Sequence, residues 1–474
     1  MAIPDLVFKS GPELSALIKS KQVSPVEVTQ AFLDRVAALD KKVNSFITVL
    51  PDYALARARQ AEQEIAAGNY KGALHGVPYA PKDIIATKGH KTTNGSKVTA
   101  NNVTNYESTI TQRLNDAGAV MIGKLNLLEF AMGSGVHSGF GPARNPWDLA
   151  YSPAGSSSGS GAALAAYFTP LSIGTDTGGS IRGPANNCGV VGLKQTYGRC
   201  SRYGVSTLSW SLDHAGPMTK RVADAAHMLQ AMAGADPHDA TAASVPVPNY
   251  AQALTQGVKG LRIGVPTNYF FDDAHPETNK AVRAAIDLLK GQGAQVVEVK
   301  VPNANLAGSA GWIIAMVEGA CYHEQRLKNT PELFDPVIRE RLETARFYPA
   351  TDYVKSMRIR TILMQEMRQV FTQCDVMAVP GGNPAGKLDP PETAGSDVKP
   401  GSTASPYRGG NTFIGDMTGY PAMTIPCGFT DSAPTLPLSI QFYAKPYDEA
   451  ALFRVGQAYE AATDWHTRRP PLSA

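Results

Sequence analysis

The chain has 474 residues, 43% hydrophobic and 18% charged, with 44 basic against 41 acidic side chains. A net charge of +3 sets up no strong field, which argues against a nucleic-acid or membrane-surface protein. Cys188, Cys200, Cys321, Cys374 and Cys427 form an odd, scattered set without C-x-x-C spacing, so free thiols in a reducing compartment are expected, not disulfides or a zinc site.

The opening "MAIPDLVFKSGPELSALI" lacks a basic-then-apolar leader, and no apolar run reaches the length of a membrane span, so a cytoplasmic protein without a membrane partner is expected. "SPVEVTQAFLDRVAALDKKV" starts a helix. Ser24 caps it, Pro25 suits its first turn and Glu27 closes a capping box, while Val28, Phe32, Val36 and Leu39 make a stripe to bury. The strand-like "FITVL" and an Ala-rich helix over 53–67 follow, and "LHGVPYAPKDII" predicts a strand ending near Lys82. "TITQRLNDAGAVMIGKLN" predicts a helix, a glycine stop and a buried strand, and the alternation runs on to about residue 235. This pattern predicts an α/β fold with helices on both faces of the sheet.

"GADPHDATAASVPVPNY" predicts a loop, "LRIGVP" a strand, and "TNKAVRAAIDLLKGQGAQVVEVKV" a helix followed by a strand. Residues 304–375 look mostly helical, and 383–410, rich in Pro, Gly, Ser and Thr, predict a long irregular loop of the kind that serves as a binding or lid element. "GYPAMTIPCGF" and "LSIQFYA" return to strand.

Two glycine-rich stretches carry the chemistry. "SPAGSSSGSGAALAAYF" (152–168) enters a helix; it fits close backbone packing, or a phosphate cradle in a nucleotide-binding module, although it lacks both the P-loop ending and G-x-G-x-x-G. "GTDTGGSIRGP" (174–184) surrounds Ser180 with glycines, and the amides of Thr177, Gly178, Gly179 and Ser180 are candidates for an oxyanion site. No histidine stands in a nucleophile elbow; His75, His137, His214 and His323 are expected to be structural. The candidate base is Lys82, because apolar neighbours strip its solvation and lower its pKa, although Asp83 offers a simple ion pair instead.

Lys82, the serine-rich loop and Ser180 together resemble the amidase signature family. The resemblance spans most of the chain, with its core in "SPAGSSSGSGAALAAYFTPLSIGTDTGGSIRGPANNCGVVGLKQTYGR" and support from "LHGVPYAPKDI", "KLNLLEFAMGSG", "RNPWD" and "SLDHAGPMTK". It implies a central twisted mixed β-sheet covered by helices, in a single domain over 1–474 with its catalytic core at 60–235 and a variable pocket region at 304–410. It implies a Ser–cis-Ser–Lys triad of Ser180, Ser156 and Lys82, with a cis Gly155–Ser156 peptide. Ala154 and Ser158 depart from the family's glycines, which leaves Ser157 as the alternative for the middle place. Asp176 and Arg182 match positions that buttress the loop, and Met132, Gly133 and Ser134 match a loop beside the nucleophile, where packing is an equal explanation. No cofactor or metal is implied.

The resemblance implies C(O)–N hydrolysis. The apolar "GSAGWIIAMVEGACYH" points to a bulky or aromatic ligand, and no motif for glutamine's charged ends is evident. The expectation is therefore a stand-alone amidase, monomer or homodimer, acting on small-molecule amides, carbamates (urethanes) or nylon-type oligomers. The alternative is the glutaminase subunit of a tRNA-dependent amidotransferase.

Overall fold

The computed structural model describes residues 3–133, 135–388 and 410–473. Local chemistry sets its first long helix. Ser24 Oγ accepts from the Glu27 amide at 3.0 Å, and the Glu27 carboxylate accepts from the Ser24 amide at 2.7 Å. Helix Pro25–Val43 then buries Val28, Phe32, Val36 and Leu39, and ends at Asn44, whose backbone is left-handed at φ 54°.

The strands are β1 (Phe46–Val49), β2 (Pro78–Pro81), β3 (Val120–Met121), β4 (Gly123–Leu125), β5 (Leu171–Asp176), β6 (Val191–Lys194), β7 (His214–Thr219), β8 (Arg262–Pro266), β9 (Gln295–Val299), β10 (Val376–Pro380), β11 (Ala422–Phe429) and β12 (Pro437–Ala444). β1 and β4 pair antiparallel, and the other ten form one sheet in the order β3-β2-β5-β7-β6-β11-β12-β10-β8-β9. The sheet is mixed: β2 lies parallel to both β3 and β5, whereas β5 runs antiparallel to β7. The fold is α/β, with a central mixed sheet and helices packed against it.

Register places the site. Pro81 stands opposite Ile173 and Asp176 opposite His214, so the end of β2, the end of β5 and the start of β7 meet at one edge of the sheet. Lys82 leaves β2 with its amide bonded to the Ile173 carbonyl at 2.9 Å. All six residues of β5 are buried, which fixes this edge against core packing on both sides.

The helical expectation for 304–375 corresponds to helices Ala307–Asn329, Pro336–Ala345 and Ala350–Gln373. Ile314, Ala315 and Met316 of the apolar run expected to face a bulky ligand are instead buried in the core. Within the expected 383–410 loop, residues 389–409 lie outside the described residues, as does Ser134. Among the described residues, no helix is long and apolar enough to cross a membrane.

Candidate active site

Lys82 is fully buried, and its ammonium donates to Ser156 Oγ and to Thr175 Oγ1, both at 2.7 Å. Burial lowers its pKa to about 7, against the opposing pull of Asp176 and Asp213. Asp83 is not its partner. That carboxylate pairs with buried Lys124 at 2.9 Å and accepts from Thr93 Oγ1 at 2.5 Å. With its neighbour occupied, Lys82 is left with two hydroxyls and no directly bonded charge, the condition under which an amine accepts a proton near neutrality.

The two serine candidates for the middle place differ in what they contact. Ser156 meets Lys82, and the Gly155–Ser156 peptide is cis. Ser157 turns the other way: its hydroxyl donates to the Thr175 carbonyl at 3.1 Å and accepts from the Thr175 amide at 3.2 Å. Its own amide donates to the Ser180 carbonyl at 3.3 Å, tying the serine-rich loop to the segment that carries Ser180. Helix Ser158–Ala165 begins directly after it.

Ser180 sits in the turn between β5 and helix Arg182–Cys188. Phe413 and Thr412 press on this turn so closely that a Cβ at Gly178 would meet the Phe413 ring at 2.4 Å, and one at Gly179 would meet Thr412 Oγ1 at 2.6 Å. Gly179 also has φ 122°, a conformation that side chains rarely adopt. The expectation of four open amides needs correction, because the Gly179 N–H donates to Asp176 Oδ1 at 2.5 Å. Among the described residues, no acceptor is paired with the amides of Thr177, Gly178 or Ser180.

Asp176 organises the turn. It also accepts from the Ile181 amide at 3.1 Å and from Arg182 Nε at 2.9 Å. Burial opposes its ionisation, but the Arg182 guanidinium overcomes this and holds the carboxyl well below the usual range. Arg182 reaches on to Asp416 at 2.6 Å and to the Thr412 carbonyl at 2.8 Å, which anchors helix Gly410–Thr418 behind the glycines. Thr177 Oγ1 donates to Asp213 Oδ1 at 2.6 Å. Sequence alone assigns no function to Thr175, Asp213 or Asp416. "GTDTGG" and "SLDH" contain the first two, but nothing in the spacing shows what their side chains meet.

Met132 is buried and Gly133 packs against His137 and Ile338, so both stand where loop 129–138 meets helix Pro336–Ala345. The expected structural histidines have partners nearby: His75 meets Glu64 at 3.1 Å, His137 meets Asp335 at 3.1 Å, His214 meets the Leu212 carbonyl at 2.6 Å, and His323 lies against the Phe130 ring.

The chain matches the Amidase family profile over residues 27–453. The A-subunit of glutamyl-tRNA(Gln) amidotransferase from Geobacter sp. (strain M21) is 40% identical over 491 residues, covering 97% of this chain and 98% of that one. A solved structure from a vestigial protein complex that reveals the evolutionary origins of an s-triazine catabolic enzyme superposes with a TM-score of 0.89 at 32% identity, covering 98% of this chain and 100% of that one. The A-subunit of the Thermotoga maritima glutamyl-tRNA(Gln) amidotransferase gives 0.78 at 29% identity, covering 100% and 98%. These relatives correct the expectation of a stand-alone amidase for small-molecule amides and carbamates, a monomer or homodimer without nucleic acid: chains alike over almost their whole length are named as one component of a tRNA amidotransferase. The chain belongs to the amidase (amidase signature) family and is an amidase-type hydrolase of carbon–nitrogen bonds.

Proposed function

We propose that the chain is the glutamine-hydrolysing component of a tRNA-dependent amidotransferase, with Ser180 as nucleophile, Ser156 as proton relay and Lys82 as base. The observation that carries the chemistry is the buried Lys82 amine, lowered to about 7 and 2.7 Å from Ser156 Oγ. The near-full-length likeness, at 40% identity, to a chain named as part of such an enzyme supports the substrate and the setting.

Ser180 Oγ attacks the side-chain carbonyl of glutamine as its proton passes to Ser156, whose own proton passes to neutral Lys82. The amides of Thr177, Gly178 and Ser180 face the oxyanion; one such donor is worth about 10²–10³ in rate. Lys82 returns the proton through Ser156 to the leaving nitrogen, the C–N bond breaks and ammonia departs. Water, activated by the same pair, then hydrolyses the glutamyl ester of Ser180 to glutamate. Ser157 and the Asp176–Arg182 pair act by holding the two serine segments in place.

Ammonia release from L-glutamine, measured on the purified chain by itself and after addition of the remaining amidotransferase subunits from the same source, tests this. The expected result is glutamine hydrolysis that the partner subunits accelerate. Hydrolysis of unrelated amides with no ammonia from glutamine in either condition would contradict it.

A further inference from the structure

The far end of β5 from Ser180 borders a second site. Residues 167–170, the N-terminal stretch 7–10, Lys220 and Arg221 after β7, and the tail at 466–469 enclose a cavity of about 170 Å³. Its lining brings together Lys9, Lys220, Arg221 and Arg469, with His466 beside them. Lys220 is only 7% exposed. Its ammonium lies 4.6 Å over the Tyr167 ring, and among the described residues it has neither a hydrogen-bond acceptor nor an ion-pair partner. His466 Nδ1 is a buried polar atom there without a partner. An ammonium on a largely buried side chain, with no protein acceptor, is costly unless something supplies it with acceptors.

Each neighbouring carboxylate accepts from a backbone amide, and Asp224 Oδ2 is left buried without a partner. Asp224 accepts from the Gly11 amide at 2.8 Å, Glu13 from the Ser10 amide at 2.7 Å, and Glu460 from the Val222 amide at 3.0 Å. Burial pushes Asp224 well up and Glu460 to about 7, which weakens both as counter-charges for Lys220. The Arg469 guanidinium is stacked 3.6 Å from the Phe8 ring centroid, so it is held at the rim. What fits such a lining is an anion with several acceptor oxygens. The cavity is smaller than the roughly 300 Å³ at which pockets begin to admit drug-sized ligands, so the group is small.

We propose that this cavity binds a phosphate group, either free phosphate or the head of a small phosphate monoester, held by Lys220 and Arg469 and remote from the serine site. It is independent of the function proposed above.

Inorganic phosphate titrated into the full chain by calorimetry, with ionic strength matched by sodium chloride, tests it. Saturable binding at one site per chain is expected. Lys220→Met, which keeps the apolar stem, and Arg469→Gln at the exposed rim should each weaken binding about tenfold or more while melting like the parent without phosphate. If Lys220→Met does not fold, Arg469→Gln decides. Competition by glycerol 3-phosphate would identify a monoester as the ligand, and its failure beside phosphate binding would identify free phosphate; both support the site. Heats and melting temperatures no different from those in sodium chloride, or phosphate binding unchanged in both variants, would overturn the proposal.

Discussion

Lys82 shows how a residue's role follows from what surrounds it. Nothing in its side chain separates it from the other lysines; "VPYAPKDII" makes it a candidate by placing it among apolar neighbours, and only the resemblance of Lys82, the serine-rich loop and Ser180 together to the amidase signature family singles it out. By sequence, Asp83 competes as a partner. The structure removes that competition through Lys124, whose distance along the chain no local pattern reveals. Thr175, the second hydroxyl on the amine, is equally hidden, since a threonine in "GTDTGG" looks like any strand residue. Because the proposed base works only as the neutral amine, kcat/KM should fall about tenfold per pH unit well below pH 7 and level off above it, with a midpoint near the Lys82 value of about 7. A profile flat from about pH 5 to 9 would contradict this. Ser156→Ala should lower kcat by about 10²–10⁴-fold through loss of the relay, with circular dichroism unchanged.

At the scale of elements, the turn after β5 is held from three directions: Asp176 gathers its amides, Arg182 bridges Asp176 to Asp416, and helix Gly410–Thr418 packs on Gly178 and Gly179. The glycines are legible in the sequence, whereas the strand is covered only by the general alternation of helices and strands. The helix is not legible: Phe413, Ile414 and Met417 give too short an apolar stripe to stand out beside a Pro- and Gly-rich stretch. Arg182→Met should cost about 3–5 kcal/mol in urea unfolding, because it removes the guanidinium that bridges two buried carboxylates. Arg182→Lys should lose part of that, since an ammonium cannot replace the guanidinium fork. A midpoint for Arg182→Met equal to the parent's would show that the network contributes little. Gly178→Ala should lower activity by displacing the Phe413 ring, which assays on folded protein would detect.

For the whole molecule, helix starts and strand runs make the α/β class readable, because capping boxes and apolar periods are local. Sheet order is not readable: β10 returns between β12 and β8, a placement decided by long-range packing. The apolar run at 308–323 misleads for a related reason. Hydrophobic side chains look alike in sequence whether they face a ligand or a core, and Ile314 and Met316 face the core. The proposed setting among partner subunits is hidden as well, since no local sequence signal would mark such a surface. If the chain works within an amidotransferase, adding its partners should raise its melting temperature in a concentration-dependent way, about 2.7 kcal/mol of stabilisation at a hundredfold excess over Kd. No shift at any concentration would oppose that assignment.

The most direct test is peptide mapping by mass spectrometry after rapid acid quench of the chain turning over L-glutamine. A γ-glutamyl ester on Ser180, absent in Ser180→Ala and accompanied by complete loss of ammonia release in that variant, is the predicted result. An ester on another residue, or turnover that survives Ser180→Ala, would contradict the assignment of Ser180 as nucleophile.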